Sequence, residues 1–214
     1  MHLAVAYELE RKLSISDRNR FEIGQILPDA VLSVDKKAVN SHFIELFDGG
    51  KRKHFDFYGF FGRFKDEVMS DELYLGYYFH LIEDNLFRYY LYYIKGLLSR
   101  RGDTELTARL YMDYHILNRK LVEKYGFENK PAVPENFAEE KINSIYPFEI
   151  EEFLQDMQED FSEKPEGKPK LIAFRSLEKD FINGCVKICA AEYDVLQRGK
   201  HLLAKYDLSW KINL

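Results

Sequence analysis

The segment from Leu73 to Phe87 carries apolar side chains on nearly every side of a helix: Leu73, Tyr74, Leu75, Tyr77, Tyr78, Phe79, Leu81, Ile82, Leu86 and Phe87. A helix that is apolar all round is packed by neighbours on all its faces, so this one belongs at the centre of the molecule. Ser70-Asp71-Glu72 offers the N-cap and Arg100-Arg101-Gly102-Asp103 the end, which predicts a helix over about 70–98. Glu83, Asp84 and Arg88 lie in its middle. They exclude a membrane span, which needs about 18 residues nearly free of charge.

The remaining pattern is helical too. Residues 1–13 read as a helix, and Ser16-Asp17 caps a second one that closes at Pro28-Asp29. Residues 30–53 are irregular and end in the turn signal Asp48-Gly49-Gly50 and the basic run Lys51-Arg52-Lys53. Residues 56–69 form a short aromatic helix, Thr104 caps another to about Tyr125, and 130–136 is a loop. A helix over 148–161, a polar linker over 162–169 and a long helix over about 171–205 complete the chain. No strand pattern and no repeat stand out. With only 6 Pro and 12 Gly in 214 residues, long regular elements are expected. The prediction is one all-α domain over 1–214, a multi-helix bundle around the buried 70–98 helix.

Charge narrows the function classes. There are 31 Lys and Arg against 36 Asp and Glu, a net charge of −5. Stable nucleic-acid binding or adsorption to an anionic membrane calls for the opposite sign. Glu8 and Glu10 interrupt the N-terminal apolar residues, so no secretory signal is expected. The two cysteines, Cys185 and Cys189, read as small core residues. A soluble, cytoplasmic protein is expected.

His80 and Asp84 stand i and i+4 on the central helix, so both project from one face. A buried carboxylate needs a cationic neighbour. Arg88, one turn further, is one candidate. A metal ion is the other, since an imidazole nitrogen and a carboxylate oxygen delivered to one point are what zinc sites use. Gly76, one turn before His80, leaves room for another helix or a ligand. Asp29 follows Pro28 at a helix end, His42 lies in Ser41-His42-Phe43, and His2 is near the start of the first helix. Singly, these read as a turn-former, a loop histidine and a tail residue, because single polar residues seldom have a site role.

In order, His2, Pro28-Asp29, Ser41-His42 and His80-x-x-x-Asp84 resemble the zinc-dependent phospholipase C family, and more distantly the fungal single-strand nucleases. The likeness covers roughly the first hundred residues. Asp17-Arg18-Asn19-Arg20-Phe21, Gly24-Gln25-Ile26-Leu27-Pro28-Asp29 and Leu75-Gly76-Tyr77-Tyr78-Phe79-His80-Leu81 support it, with Leu110 to Asn118 further on. Those families are all-α proteins holding a polynuclear zinc cluster in a helical bundle. The resemblance implies Asp29, His42, His80 and Asp84 as ligands of one zinc, and Asp84 as a bridge to a further metal matched by His2. It implies the terminal amino group as another ligand there, although Met1 displaces it by one residue. It also makes Asp29 the catalytic base. The chain departs from the family where another zinc is held: Tyr89, Tyr90, Tyr92 and Tyr93 fill that stretch, and His115 and His201 are followed at i+4 by Arg119 and Lys205. His54, Asp113 and His115 are the obvious substitutes, although Asp113 and His115 do not share a helix face.

The expected function is a metal-dependent hydrolase acting on a small-molecule or lipid phosphoester, with one or two zinc ions; manganese or iron suits the same ligands. Arg88 either pairs with Asp84 or lends its planar fork to phosphate. The tyrosines of the central helix either line an apolar pocket or fill the core. Two other readings stay open. One is a structural metal in a closed four-ligand site. The other is an interaction protein whose acidic 149–163 stretch meets a basic partner, a stretch that reads equally as a solvated helix face. There is no Gly-x-Ser-x-Gly elbow, Gly-rich phosphate loop or cysteine-based zinc motif.

Overall fold

In the computed structural model, which describes residues 1–32, 39–47, 49, 52–100, 102–127, 131–162 and 167–204, every residue from Leu73 to Leu86 except Asp84 is buried. This is α5, named in chain order after α1 (His2–Glu10), α2 (Arg18–Ile26), α3 (Phe57–Arg63) and α4 (Lys65–Ser70). Asp71 caps α5 by accepting from the Leu73 amide at 2.9 Å. The helix runs regularly to Tyr89, widens into a π turn over Tyr90–Ile94, and stops before the expected 98. Gly96, at φ +69°, takes the left-handed conformation that ends helices. Tyr74, Tyr77, Tyr78 and Tyr90 are core residues, each 1% exposed or less.

The rest is mostly helical: α6 (Thr104–Tyr125), α7 (Ile150–Ser162), the single turn α8 (Phe174–Ser176) leading into a π turn, and α9 (Asn183–Leu196). The expected 56–69 helix is two, broken at Phe64 (φ −126°, ψ 34°). The last helix ends at Leu196 rather than 205. Buried Glu192 instead accepts the Leu202 and Leu203 amides at 2.8 and 3.2 Å and draws the following segment back onto α9. Residue 205, the 163–166 part of the linker, and residues 48, 50 and 51 of the turn and basic run lie outside the described residues. On α7, Glu151, Glu152 and Asp156 are exposed while Phe153, Leu154 and Met157 are partly buried, so its described acidic residues form a solvated face. Among the described residues no helix is long and apolar enough to cross a membrane.

One expectation is corrected outright. The irregular 30–53 segment contains an antiparallel hairpin, β1 (Ile44–Phe47) with β2 (Arg52–Phe55), paired Ile44 to Phe55 and Glu45 to His54. Its apolar alternation is poor, since Leu46 is 62% exposed. What holds it is tertiary: Asn85 of α5 binds both the amide and the carbonyl of Phe55, at 3.1 and 2.8 Å.

The contact that sets the site is the close packing of α2 along α5. A Cβ on Gly24 would overlap the Leu73 carbonyl, and one on Gly76 would overlap the Phe21 carbonyl and lie 3.0 Å from the Gln25 nitrogen. The room left by Gly76 is therefore taken by a helix. Arg20 fixes the crossing, reaching Asp71 with Nε at 2.9 Å and Glu140 with Nη2 at 2.7 Å.

At the end of α1, the Glu10 side chain is 5% exposed, with the exposed Arg18 at 3.8 Å as its counter-charge among the described residues. Burial, then the charge of Glu22, raises its pKa from 4.5 to about 7 against the weaker pull of Arg18. Between those values the folded chain binds a proton that the unfolded chain has released, so stability falls as pH rises through the window. Glu10→Gln is therefore expected to exceed the parent in stability by about 1–3 kcal/mol at pH 8 and to match it near pH 4. Urea denaturation at both pH values checks this; an equal gap at both would sink the assignment.

Candidate metal centre

Three histidines and two aspartates from distant parts of the sequence meet beside α5. His80 lies one turn before Asp84 on α5, and the α2–α5 crossing puts the Gln25 carbonyl 2.8 Å from His80 Nδ1. That bond places a proton on Nδ1, so the lone pair of the neutral imidazole is on Nε2. Nε2 is buried and has no hydrogen-bond partner; Asp84 Oδ2 is 3.6 Å away. His2, on the first turn of α1, stacks on the His80 ring with centroids 4.0 Å apart. Its Nδ1 lies 2.7 Å from Glu83 Oε2, and its Nε2 faces Asp84 Oδ1 at 3.7 Å.

His42 arrives from a turn over residues 39–43, fastened by the Tyr77 hydroxyl, which donates to the Ser41 carbonyl, and by the Asp56 amide, which donates to the Phe43 carbonyl at 2.8 Å. Its Nδ1 is 3.1 Å from Ser41 Oγ. Its Nε2 lies 3.2 Å from Asp29 Oδ1 and 3.6 Å from Asp84 Oδ2. Asp29 closes the one-turn 3-10 helix Leu27–Asp29, where Pro28 ends α2. The next residues are tied to the residue preceding α7, as Leu32 donates its amide to Glu149 Oε2 at 2.7 Å.

Each imidazole thus has Nδ1 occupied and Nε2 turned toward the aspartates, the arrangement in which a neighbouring acceptor orients a metal-binding histidine. His2, His80 and Asp84 form one group with ligand atoms within 4.8 Å of one another, and Asp29, His42 and His80 form another. Tetrahedral zinc at about 2.0–2.1 Å from its ligands sets them about 3.3 Å apart, close to the separations found. An orphaned buried nitrogen and a nitrogen-and-carboxylate donor set fit a divalent ion.

The electrostatics agree. Burial pushes the Asp29 carboxyl up, but the His42 hydrogen bond and the charges of His80, His42 and His2 outweigh it and hold the group well below the usual range. Asp84 is likewise lowered, burial opposing and His80 foremost among the groups that lower it. For His80, burial lowers the pKa, while Asp84 and then Asp29 raise it further, to about 9. The cluster favours positive charge at its centre. Asp29 keeps 40% of its side chain exposed, so one side of the cluster meets solvent. A cavity of about 140 Å³ opens beside Asp29 and His2, walled by Ile26, Val122, Phe153, Met157 and Phe161 among others. Apolar cavities near 150 Å³ hold a benzene ring.

The other sequence candidates lie elsewhere. The Arg88 guanidinium sits 5.8 and 5.6 Å from the Phe55 and Tyr92 ring centres. Buried Asp113 accepts the Lys170, Leu171 and Ile172 amides at 2.8, 2.7 and 2.9 Å, a chain-fastening role rather than a ligand's. His115 is exposed on α6. His201 packs between Tyr58 and Phe61 and lies 3.0 Å from Glu192. The Met1 amino group donates to Asn118 Oδ1 at 3.1 Å. Cys185 and Cys189 are buried free thiols, pushed well up in pKa by burial first and then by Glu83. Sequence reasoning missed Glu83 and the Gln25 carbonyl. A carboxylate inside an otherwise apolar helix was the available signal for Glu83; a backbone carbonyl has none. No protein-family model matches the chain, and no curated protein or solved structure matches it.

Proposed function

We propose that this chain is a metal-dependent hydrolase that uses the His2, Asp29, His42, His80 and Asp84 cluster on a phosphoester. The observation that carries the reading is the convergence of three imidazole Nε2 atoms on Asp84 and Asp29 while every Nδ1 is held by another group. When bound, a divalent ion, zinc foremost with manganese or iron as alternatives, supplies a lowered water pKa and offsets charge on a phosphoryl oxygen. His42, His80, Asp29 and Asp84 are the residues to hold it, and His2 with Asp84 a further one. Asp29 is the carboxylate with reach to solvent, so it is placed to accept a proton from attacking water. The apolar cavity beside it suits an uncharged substituent of the ester, a small molecule or the end of a lipid. The phosphoester class rests on the order of His2, Pro28-Asp29, Ser41-His42 and His80-x-x-x-Asp84 and its likeness to the zinc-dependent phospholipase C family.

A structural role is the second reading, favoured by the number of protein donors near His80, since closed coordination leaves no place for water. One experiment separates the two. Purified protein is assayed on p-nitrophenyl phosphate and bis(p-nitrophenyl) phosphate, with and without chelator, and again after zinc, manganese or iron is restored. The expected result is hydrolysis lost with chelator and regained with one of the ions. Tightly held stoichiometric metal with no hydrolysis of either ester would leave the structural role.

A further inference from the structure

The β-hairpin carries a second grouping, apart from the cluster beside α5. Glu45 and His54 are directly paired across the two strands, so their side chains share one face. Asp56, two residues beyond His54, continues that face. The intervening Phe55 points the other way, toward His42, with ring centres 5.8 Å apart, and Lys53 Nζ lies 4.9 Å from the Phe55 ring centre. The two faces of β2 thus serve different surroundings.

His54 is 1% exposed, and its Nε2 lies 3.4 Å from Glu45 Oε2 and 3.5 Å from Asp56 Oδ1. One ligand atom from each residue lies within 4.8 Å of the others. The separations match the roughly 3.3 Å between ligands of a tetrahedral ion. The donors are also held in place. Asp56 caps α3, its Oδ1 accepting the Gly59 amide at 3.0 Å, and its carboxylate packs where a Gly59 side chain would stand. The Asp56 amide donates to Phe43, and Asn85 clamps Phe55. Two carboxylates match the charge of a divalent ion, and the Glu45 side chain, 35% exposed, gives the face access to solvent. A nitrogen and two carboxylates suit zinc or manganese.

We infer that Glu45, His54 and Asp56 form a second divalent-metal site on the hairpin, independent of the cluster beside α5. The competing description is a protonated imidazole held between two carboxylates, and metal counting tells them apart. Metal-free protein is titrated with zinc alone by calorimetry, and with manganese by equilibrium dialysis. Asp84→Asn protein is expected to retain one ion per chain. Adding Glu45→Gln, or separately His54→Gln, should weaken that ion at least tenfold, with helical circular dichroism as the check on folding. Glu45 is partly exposed, so its variant stays informative if His54→Gln does not fold. Asp84→Asn protein that binds neither ion, or an ion whose affinity Glu45→Gln leaves unchanged, would overturn the inference. A single ion in the parent that survives Asp84→Asn but not Glu45→Gln would retain the hairpin site and remove the cluster beside α5, so the two assignments fail separately.

Discussion

His80→Ala and Asp84→Asn proteins, purified without chelator, are expected to lose the metal proposed for the cluster beside α5. His80 supplies the buried Nε2, and Asp84 turns one oxygen to His2 and the other to His42 and His80. Removing either deletes one of the converging donors. His201→Ala should keep the metal, because His201 packs against Tyr58 and Phe61 and meets Glu192 instead. Glu83→Gln should lie between these limits, with affinity down about 10–100-fold, as when other groups that orient a histidine ligand are removed. Elemental analysis reads the content, and competition with a chromophoric chelator reads the affinity. Counts are compared at a metal concentration that leaves any hairpin ion common to all variants. Equal content in all four, or a parent that takes up no zinc, manganese or iron, would remove the assignment.

Gly76→Ala is expected to produce a large loss of stability. Its methyl group would overlap the Phe21 carbonyl and approach the Gln25 nitrogen to 3.0 Å, so backbone rather than a pliable side chain must give way. Overpacking a core costs typically about 1–3 kcal/mol, and a backbone obstacle puts this variant at about 3 kcal/mol. Moving α2 outward also withdraws the Gln25 carbonyl from His80 Nδ1, so the surviving folded fraction should bind metal more weakly. Gly62→Ala is the control: it lies in α3 with nothing within 4 Å of its added Cβ, and the better helix propensity of alanine should stabilise it by up to about 1 kcal/mol. Urea midpoints check both. A Gly76→Ala midpoint equal to the parent's would mean that the crossing is looser than described.

The central helix was legible because its apolar residues leave no polar face, and Asp71 announced its start. Its end was not, since Tyr90 to Ile94 continue the same pattern while the backbone widens and Gly96 turns away. The hairpin was illegible for a related reason. Two four-residue strands with exposed Leu46 carry little period-2 signal, and the grip of Asn85 on Phe55 comes from a helix thirty residues further on.

For the candidate site, the i,i+4 spacing of His80 and Asp84 follows from helix geometry alone, so their shared face was fixed by the local sequence. His2, Asp29 and His42 belong to three other segments, and only their order hinted at common membership. What brings them together is the Gly24–Gly76 crossing, the Tyr77 bond to Ser41 and the tie between Leu32 and Glu149, each a contact across the chain. Local sequence therefore determined the mostly helical character, the buried helix and the two polar residues on its face, since these depend on side-chain period within one element. Tertiary structure alone decided which histidines share a centre, which nitrogen each one presents, and that His54 joins Glu45 and Asp56 instead. Those outcomes depend on how closely separate backbones approach, and no single segment encodes that distance.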